Sequence, residues 1–219
     1  MISLSDVKTI FFDYDGTLHN SIFIYAPAFQ KAYDYLVENG FAEKKNWSNK
    51  EISYWLGFNP LDMWRTFMPN LREDIRLRCS DIIAEEMKHQ IIHGNPVLYE
   101  GSLETLDYLK RKGYCLVFIS NCKVYYKDCQ NKLFGLDKYF DTFICSEQYD
   151  FIPKYEILKA IKHNYQEQMI IVGDRIHDIE AGIKNDIPAI GCSYGFALSG
   201  ELQEADLIIN DIKELRNYL

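Results

Sequence analysis

The sequence predicts an open α/β fold, a parallel sheet core carrying helices, with a helical subdomain inserted after the first strand. Three observations lead there. Short continuous apolar runs recur along most of the chain, without polar alternation, and such runs suit strands buried on both faces of a parallel sheet. Segments with helical spacing of apolar residues lie between them, and strand-helix-strand repetition implies right-handed crossovers. One long region, from about Asn20 to His93, has the helical spacing and no strand pattern.

The expected strands are "TIFFD" (9–13), "CLVFIS" (115–120), "TFICS" (142–146), "MIIVGD" (169–174), "AIGC" (189–192) and "DLIIN" (206–210). A helix is expected over 103–112, with Leu103, Leu106 and Leu109 on one face, Ser102 as N-cap and Gly113 as its stop. "YEILKAIKHN" and "HDIEAGIKND" also read as helices. In the strandless region, Ile22, Ala26, Phe29, Tyr33, Leu36 and Val37 recur at helical spacing, as do Ile75, Cys79, Ile82, Ile83, Met87 and Ile91. Trp47, Trp55 and Trp64 all fall there. The chain is expected to re-enter the core near "NPVLYEGS" (95–102). The domain boundaries follow: 1–18 with 97–219 for the core, 19–96 for the insert.

Composition narrows the function. The 219 residues, 47% hydrophobic, suffice for a sizeable core. A net charge of −8 disfavours general binding to nucleic acid or anionic membrane. Six cysteines without a CxxC pair exclude zinc-ribbon and thioredoxin readings and suit reduced thiols. The N-terminus lacks the basic and long apolar segments of a secretory leader. No apolar stretch approaches the roughly 20 residues of a membrane span. A reducing cytoplasm is the expected location.

In open α/β sheets, ligands bind beyond the carboxyl ends of the strands. The first expected strand ends in Asp13, with Asp15 two residues on. The second ends in Ser120-Asn121, the third is followed by Lys154, and the fourth ends in Asp174, with Asp178 four residues later. Crowded carboxylates repel unless a cation joins them, and an all-oxygen set suits Mg²⁺. A cation, an amine, a hydroxyl and backbone N–H groups beside Gly16 would together hold a phosphate dianion. One carboxylate can then attack phosphorus while the other moves the proton. Residues i and i+2 leave an extended chain on the same side, so one pocket can receive both Asp13 and Asp15. The first would be nucleophile and the second acid/base.

"DYDGTL" resembles the DxDGT signature of the haloacid dehalogenase-like hydrolase superfamily, whose core is Rossmann-like. "VFISN" resembles its second motif, "IPKYEIL" its third and "VGDRIHDIEAG" its fourth. "IPAIGCSYGFA" and "ADLIINDIKEL" are similar to the C-terminal part of phosphoglycolate-phosphatase-like members. The resemblance covers Lys8 to Leu18 and about Pro96 to the end. It implies Asp13 as nucleophile and Mg²⁺ ligand, and Asp15 as acid/base with its backbone carbonyl on the metal. It further implies Asp174 as carboxylate ligand and Asp178 as a partner behind the metal's ligands or reaching the metal through water. Ser120 and the Asn121 backbone would bind phosphate, and Lys154 would offset the charge shared by nucleophile and phosphoryl group. The insert matches a C1-type helical cap over a site for a small phosphorylated metabolite: phosphoglycolate-like, a sugar phosphate or a nucleoside monophosphate. Two positions depart from the pattern: Tyr155 stands after Lys154 where relatives often have Pro, and Asn20 replaces a frequent Asp.

Blander readings stand beside these. An isolated Asp-x-Asp-Gly is commonly a turn, and the other three motifs outweigh that. Asp178 alone could be a helix-start residue favoured by the dipole. Arg175 and His177 suit structural roles at least as well as catalytic ones. Cys122 reads as inert. Tyr54, Trp55, Trp64 and Phe67 read as core of the insert, and Arg65 and Arg72 as a solvated face. A phosphomutase of the β-phosphoglucomutase kind would share the aspartyl-phosphate but exclude water. A silent binding or regulatory protein would lack turnover. Dehalogenase chemistry fits worse, because dehalogenases lack the second Asp.

Overall fold

The computed structural model describes residues 4, 6–94, 96–165 and 168–219. Asn95, the first residue of the expected re-entry segment, lies outside them. The chain forms two compact units, Met1–Asn20 with Leu98–Leu219, and Ser21–Val97.

Among its described residues the first unit is built on six strands: β1 (Thr9–Phe12), β2 (Cys115–Ser120), β3 (Thr142–Cys145), β4 (Met169–Gly173), β5 (Ala189–Cys192) and β6 (Leu207–Ile209). They form one sheet in the order β3-β2-β1-β4-β5-β6, and every pairing is parallel. Thr9 lies opposite both Cys115 and Met169, so β1, β2 and β4 run in step. The chain builds outward from β1 through β2 to β3, then returns to the other side of β1 with β4. That reversal makes a crevice at the carboxyl ends of β1 and β4, the place where open α/β sheets take ligands.

The apolar runs become strands because both sheet faces are covered. Phe11, Val117, Ile119 and Ile171 pack with Ile157, Leu158 and Ile161 of α7 (Lys154–Ile161) and with Ile179 and Ala181 of α8 (Ile176–Ile183). Phe12 and Phe118 both meet Phe140 edge-on, at 6.2 and 5.7 Å between ring centroids. Each fully buried large side chain contributes about 1.5–3 kcal/mol.

The helix expected over 103–112 is α5, Ser102–Arg111, with Gly113 beyond it at φ +89°. The N-cap expectation for Ser102 does not hold. Gly101, at φ +84°, takes the cap position, and Ser102 is the first helical residue. Its hydroxyl donates instead to the Leu18 carbonyl at 3.1 Å, and the Tyr99 N–H donates to the same oxygen at 2.9 Å. With the His19–Leu98 bridge, these bonds pin the departing chain beside the returning one.

The second unit has four helices among its described residues: α1 (Ile22–Glu38), α2 (Asn49–Ser53), α3 (Pro60–Phe67) and α4 (Glu73–His93). Phe29, Tyr33, Trp47, Trp55 and Phe67 form a continuous aromatic cluster, with Trp64 beside Phe67. Tyr54 is more exposed, at 39%, but stacks on Phe58. Arg65 and Arg72 lie on the solvated face beside Asp62 and Asp74. No helix among the described residues is long and apolar enough to cross a membrane.

Candidate active site

Asp13 directly follows β1, and its N–H is held by the Val172 carbonyl of β4 at 2.9 Å. Asp174 directly follows β4. Asp178 lies in the first turn of α8, where its Oδ2 accepts the Arg175 N–H at 3.0 Å. The three carboxylates offer oxygens within 4.8 Å of one another, and all three residues are buried. Asp178 thus combines the two roles weighed from the sequence: it caps a helix and it joins the acidic group.

Lys154 enters this group from the first position of α7. Its ammonium donates to Asp13 Oδ1 at 2.7 Å and to Asp178 Oδ1 at 2.5 Å. Tyr155 in the place of a proline leaves this helix start intact, since Pro153 precedes Lys154. Burial pushes the Asp13 carboxyl up to about 7, with Asp178 and Asp15 adding to the rise and Lys154 opposing it. Asp174 is pushed well above the carboxylate range, first by burial and then by Asp13 and Asp178. Burial disfavours a charged Lys154, yet the two carboxylates overcome it and raise its pKa.

The donor set fits a divalent cation. One ammonium against three carboxylates leaves two negative charges uncompensated, which is why burial wins at Asp13 and Asp174. Arg175 offsets part of the charge on Asp174, but its guanidinium is paired with Glu201 at 2.8 and 3.2 Å. Backbone packs tightly around Asp174: the Phe196 N–H donates to its Oδ2 at 2.6 Å, and a Cβ on Gly16 or on Gly195 would run into its side chain. Gly16 additionally sits at φ +88°. Gly195→Ala is therefore expected to displace Asp174 and lower turnover about tenfold to a hundredfold, the usual range for damage just outside a metal site. Turnover equal to wild type, measured as phosphate release, would show that the close packing does not position Asp174.

The remaining expected residues sit nearby on other elements. Ser120 ends β2, the neighbour of β1, and is buried, with Asn121 after it. Cys122 is buried 3.7 Å from Cys145, sulfur to sulfur, and burial raises its pKa. Asp15 takes its side-chain partners from Tyr126 and His19, neither of which the sequence had marked.

A family model for haloacid dehalogenase-like hydrolases matches residues 10–192. The chain belongs to that family. A pyrophosphatase PpaX of Halalkalibacterium halodurans is 26% identical over 207 residues, covering 90% of this hydrolase and 87% of the relative. A phosphoglycolate phosphatase of Vibrio parahaemolyticus is 24% identical over 221 residues, covering 96% and 95%. Among solved structures, a predicted phosphatase from Clostridium acetobutylicum superposes with a TM-score of 0.83 at 22% identity, covering 96% of this chain and 97% of that one. That likeness concerns the fold.

Proposed function

We propose that this hydrolase is a Mg²⁺-dependent phosphatase of small phosphorylated metabolites, working through an aspartyl-phosphate on Asp13. The observation carrying this reading is the buried Asp13–Lys154–Asp178 chain beside Asp174, set at the carboxyl ends of β1 and β4. Asp13 and Asp174 would hold the metal, with the Asp15 backbone carbonyl and Asp178 assisting. When bound, Mg²⁺ supplies charge neutralisation to the phosphoryl group and to the carboxylates. Asp13 attacks phosphorus from a position fixed by the Lys154 ammonium. Asp15 gives a proton to the leaving oxygen, then takes one from the water that hydrolyses the aspartyl-phosphate. Ser120 and the Asn121 backbone bind phosphate oxygens, and Lys154 offsets charge between nucleophile and phosphoryl group.

The helical unit is proposed as a C1-type cap, on the strength of its insertion directly after the Asp15 loop. The protein is proposed to work in a reducing cytoplasm, since all six cysteines are free thiols. We would begin a substrate panel with inorganic pyrophosphate and phosphoglycolate, after the names of the relatives, and follow with sugar phosphates and nucleoside monophosphates. Phosphate release from at least one of these, dependent on Mg²⁺, is the expected result. Release from none would overturn the reading, and isomerisation of a sugar phosphate without release would make the enzyme a mutase.

Metal binding has its own readout. Mg²⁺ at a hundredfold excess over its Kd should stabilise the fold by about 2.7 kcal/mol. For a chain of this size that is a melting-temperature rise of roughly 5–10 °C over the EDTA-treated protein. An unchanged melting temperature, with Asp174→Asn behaving as wild type, would remove Mg²⁺ from the proposal.

A further inference from the structure

Asp15 is gripped by two ring side chains. Tyr126, in the first turn of α6 (Val124–Phe134), donates its hydroxyl to Asp15 Oδ1 at 2.6 Å. His19 Nδ1 lies 3.2 Å from that same oxygen and 3.1 Å from the Tyr126 hydroxyl. The His19 side chain is wholly buried, whereas that of Asp15 is 17% exposed. Among the described residues, His19 Nε2 has no hydrogen-bond partner. A proton on Nδ1 lets the ring donate to Asp15 and leaves a bare lone pair at Nε2, whereas the other tautomer would bury an unpaired N–H.

The grip is itself braced. Tyr14 stacks on the imidazole at 5.2 Å with 20° between planes, and its hydroxyl donates to buried Gln130 at 2.9 Å. The loop closes on itself through Gly16 N–H to the His19 carbonyl at 2.8 Å and His19 N–H to the Tyr14 carbonyl at 2.9 Å. His19 therefore has one ring orientation, and Tyr126 approaches Asp15 from a separate helix.

We propose that His19 and Tyr126 are positioning residues for the proton transfer, fixing the rotamer of Asp15 and assigning its two oxygens different tasks. This rests on the reading of Asp15 as acid/base. Oδ1 is committed to two donors, so the proton is carried on Oδ2. As the bond from phosphorus to the leaving oxygen breaks, the proton passes from Oδ2 to that oxygen, leaving a carboxylate. In the second step Oδ2 takes a proton from water as the water oxygen attacks the aspartyl-phosphate, which frees Asp13 and phosphate. A carboxyl free to rotate would spend much of its time with neither oxygen in line, and a displacement of about 1 Å at a catalytic group can cost on the order of a hundredfold.

The test uses para-nitrophenyl phosphate and phenyl phosphate, whose leaving groups differ in their need for a proton. Tyr126→Phe keeps the ring and removes the hydroxyl, His19→Val removes the donor, and His19→Asn returns an N–H near the Nδ1 position. Tyr126→Phe and His19→Val should lower kcat/KM for phenyl phosphate about tenfold to a hundredfold, with a much smaller loss for the nitrophenyl ester. The loss should fall on kcat rather than KM, and His19→Asn should recover most of it. In an Asp15→Asn background Tyr126→Phe should add almost nothing. Equal losses on both esters, or a loss that persists undiminished beside Asp15→Asn, would overturn the positioning role alone. Asp15→Asn keeping the wild-type ratio between the esters would overturn the acid/base reading, and the positioning role with it. Release from neither ester by the wild type would count against both.

Discussion

Asp13→Asn is expected to fold as the wild type does and to lose turnover by at least about ten-thousandfold, in the range seen when a catalytic nucleophile is removed. The amide nitrogen and oxygen occupy nearly the volume of the carboxylate, so β1 and its bond from Asp13 N–H to Val172 are undisturbed. Lys154 keeps Asp178 as a partner at 2.5 Å, so its buried ammonium is not stranded. The substitution also removes one of three crowded negative charges, one whose carboxyl is already pushed up to about 7. Metal-free Asp13→Asn should therefore melt no lower than metal-free wild type. An amide, however, neither attacks phosphorus usefully nor binds Mg²⁺ well, and no other buried carboxylate in the group follows β1. Phosphate release on the best panel substrate, with melting temperature measured alongside, checks both halves. Wild-type-like release would sink Asp13 as nucleophile, and a melted protein would mean that the charge, not the chemistry, is what the fold needs there.

The strands were the most legible part of the sequence, because a parallel sheet covered on both faces demands continuous apolar runs. "CLVFIS" and "AIGC" match β2 and β5 residue for residue, and the other four runs differ only at their ends. Two of those ends carry the acidic group: Asp13 and Asp174 stand one residue beyond β1 and β4. Ser102 was misassigned because local propensity favours a serine cap, while the structure gives its hydroxyl to a carbonyl 84 residues away in sequence. The same limit hid the partners of Asp15. A histidine between Leu18 and Asn20 is a polar residue at an inward-facing position, which was the one available signal. Tyr126 carried none, since its role depends on a contact 111 residues away. Gly195 and Phe196 lay within a stretch recognised by resemblance, but spacing could not show that their backbone closes around Asp174.

Lys154→Met should be the most destabilising single change at the site. Methionine fills the stem's space but removes the ammonium that, among the described residues, pairs with both Asp13 and Asp178 in the buried carboxylate group. Breaking a buried pair in this way costs about 3–5 kcal/mol when the stranded charge cannot escape. Here it can escape in part, by protonation, and the sign of the pH dependence follows. Burial already raises the folded Asp13 carboxyl to about 7, far above the ordinary carboxylate range, and Lys154 is the main influence holding it down. Without that influence the folded carboxyl binds its proton more tightly still, while the unfolded one ionises near the ordinary value. The folded state then holds more protons than the unfolded state between those pKa values, so stability falls as pH rises through that window. Metal-free Lys154→Met should accordingly lose less stability at pH 5.5 than at pH 8. Mg²⁺ should recover more melting temperature in the variant than in wild type, because the metal then replaces the positive charge lost beside Asp13 and Asp178. Thermal melts of both proteins at the two pH values, with Mg²⁺ and with EDTA, give the comparison. A loss independent of pH, together with equal Mg²⁺ shifts, would mean that Lys154 stabilises the site by packing its stem and not by its charge.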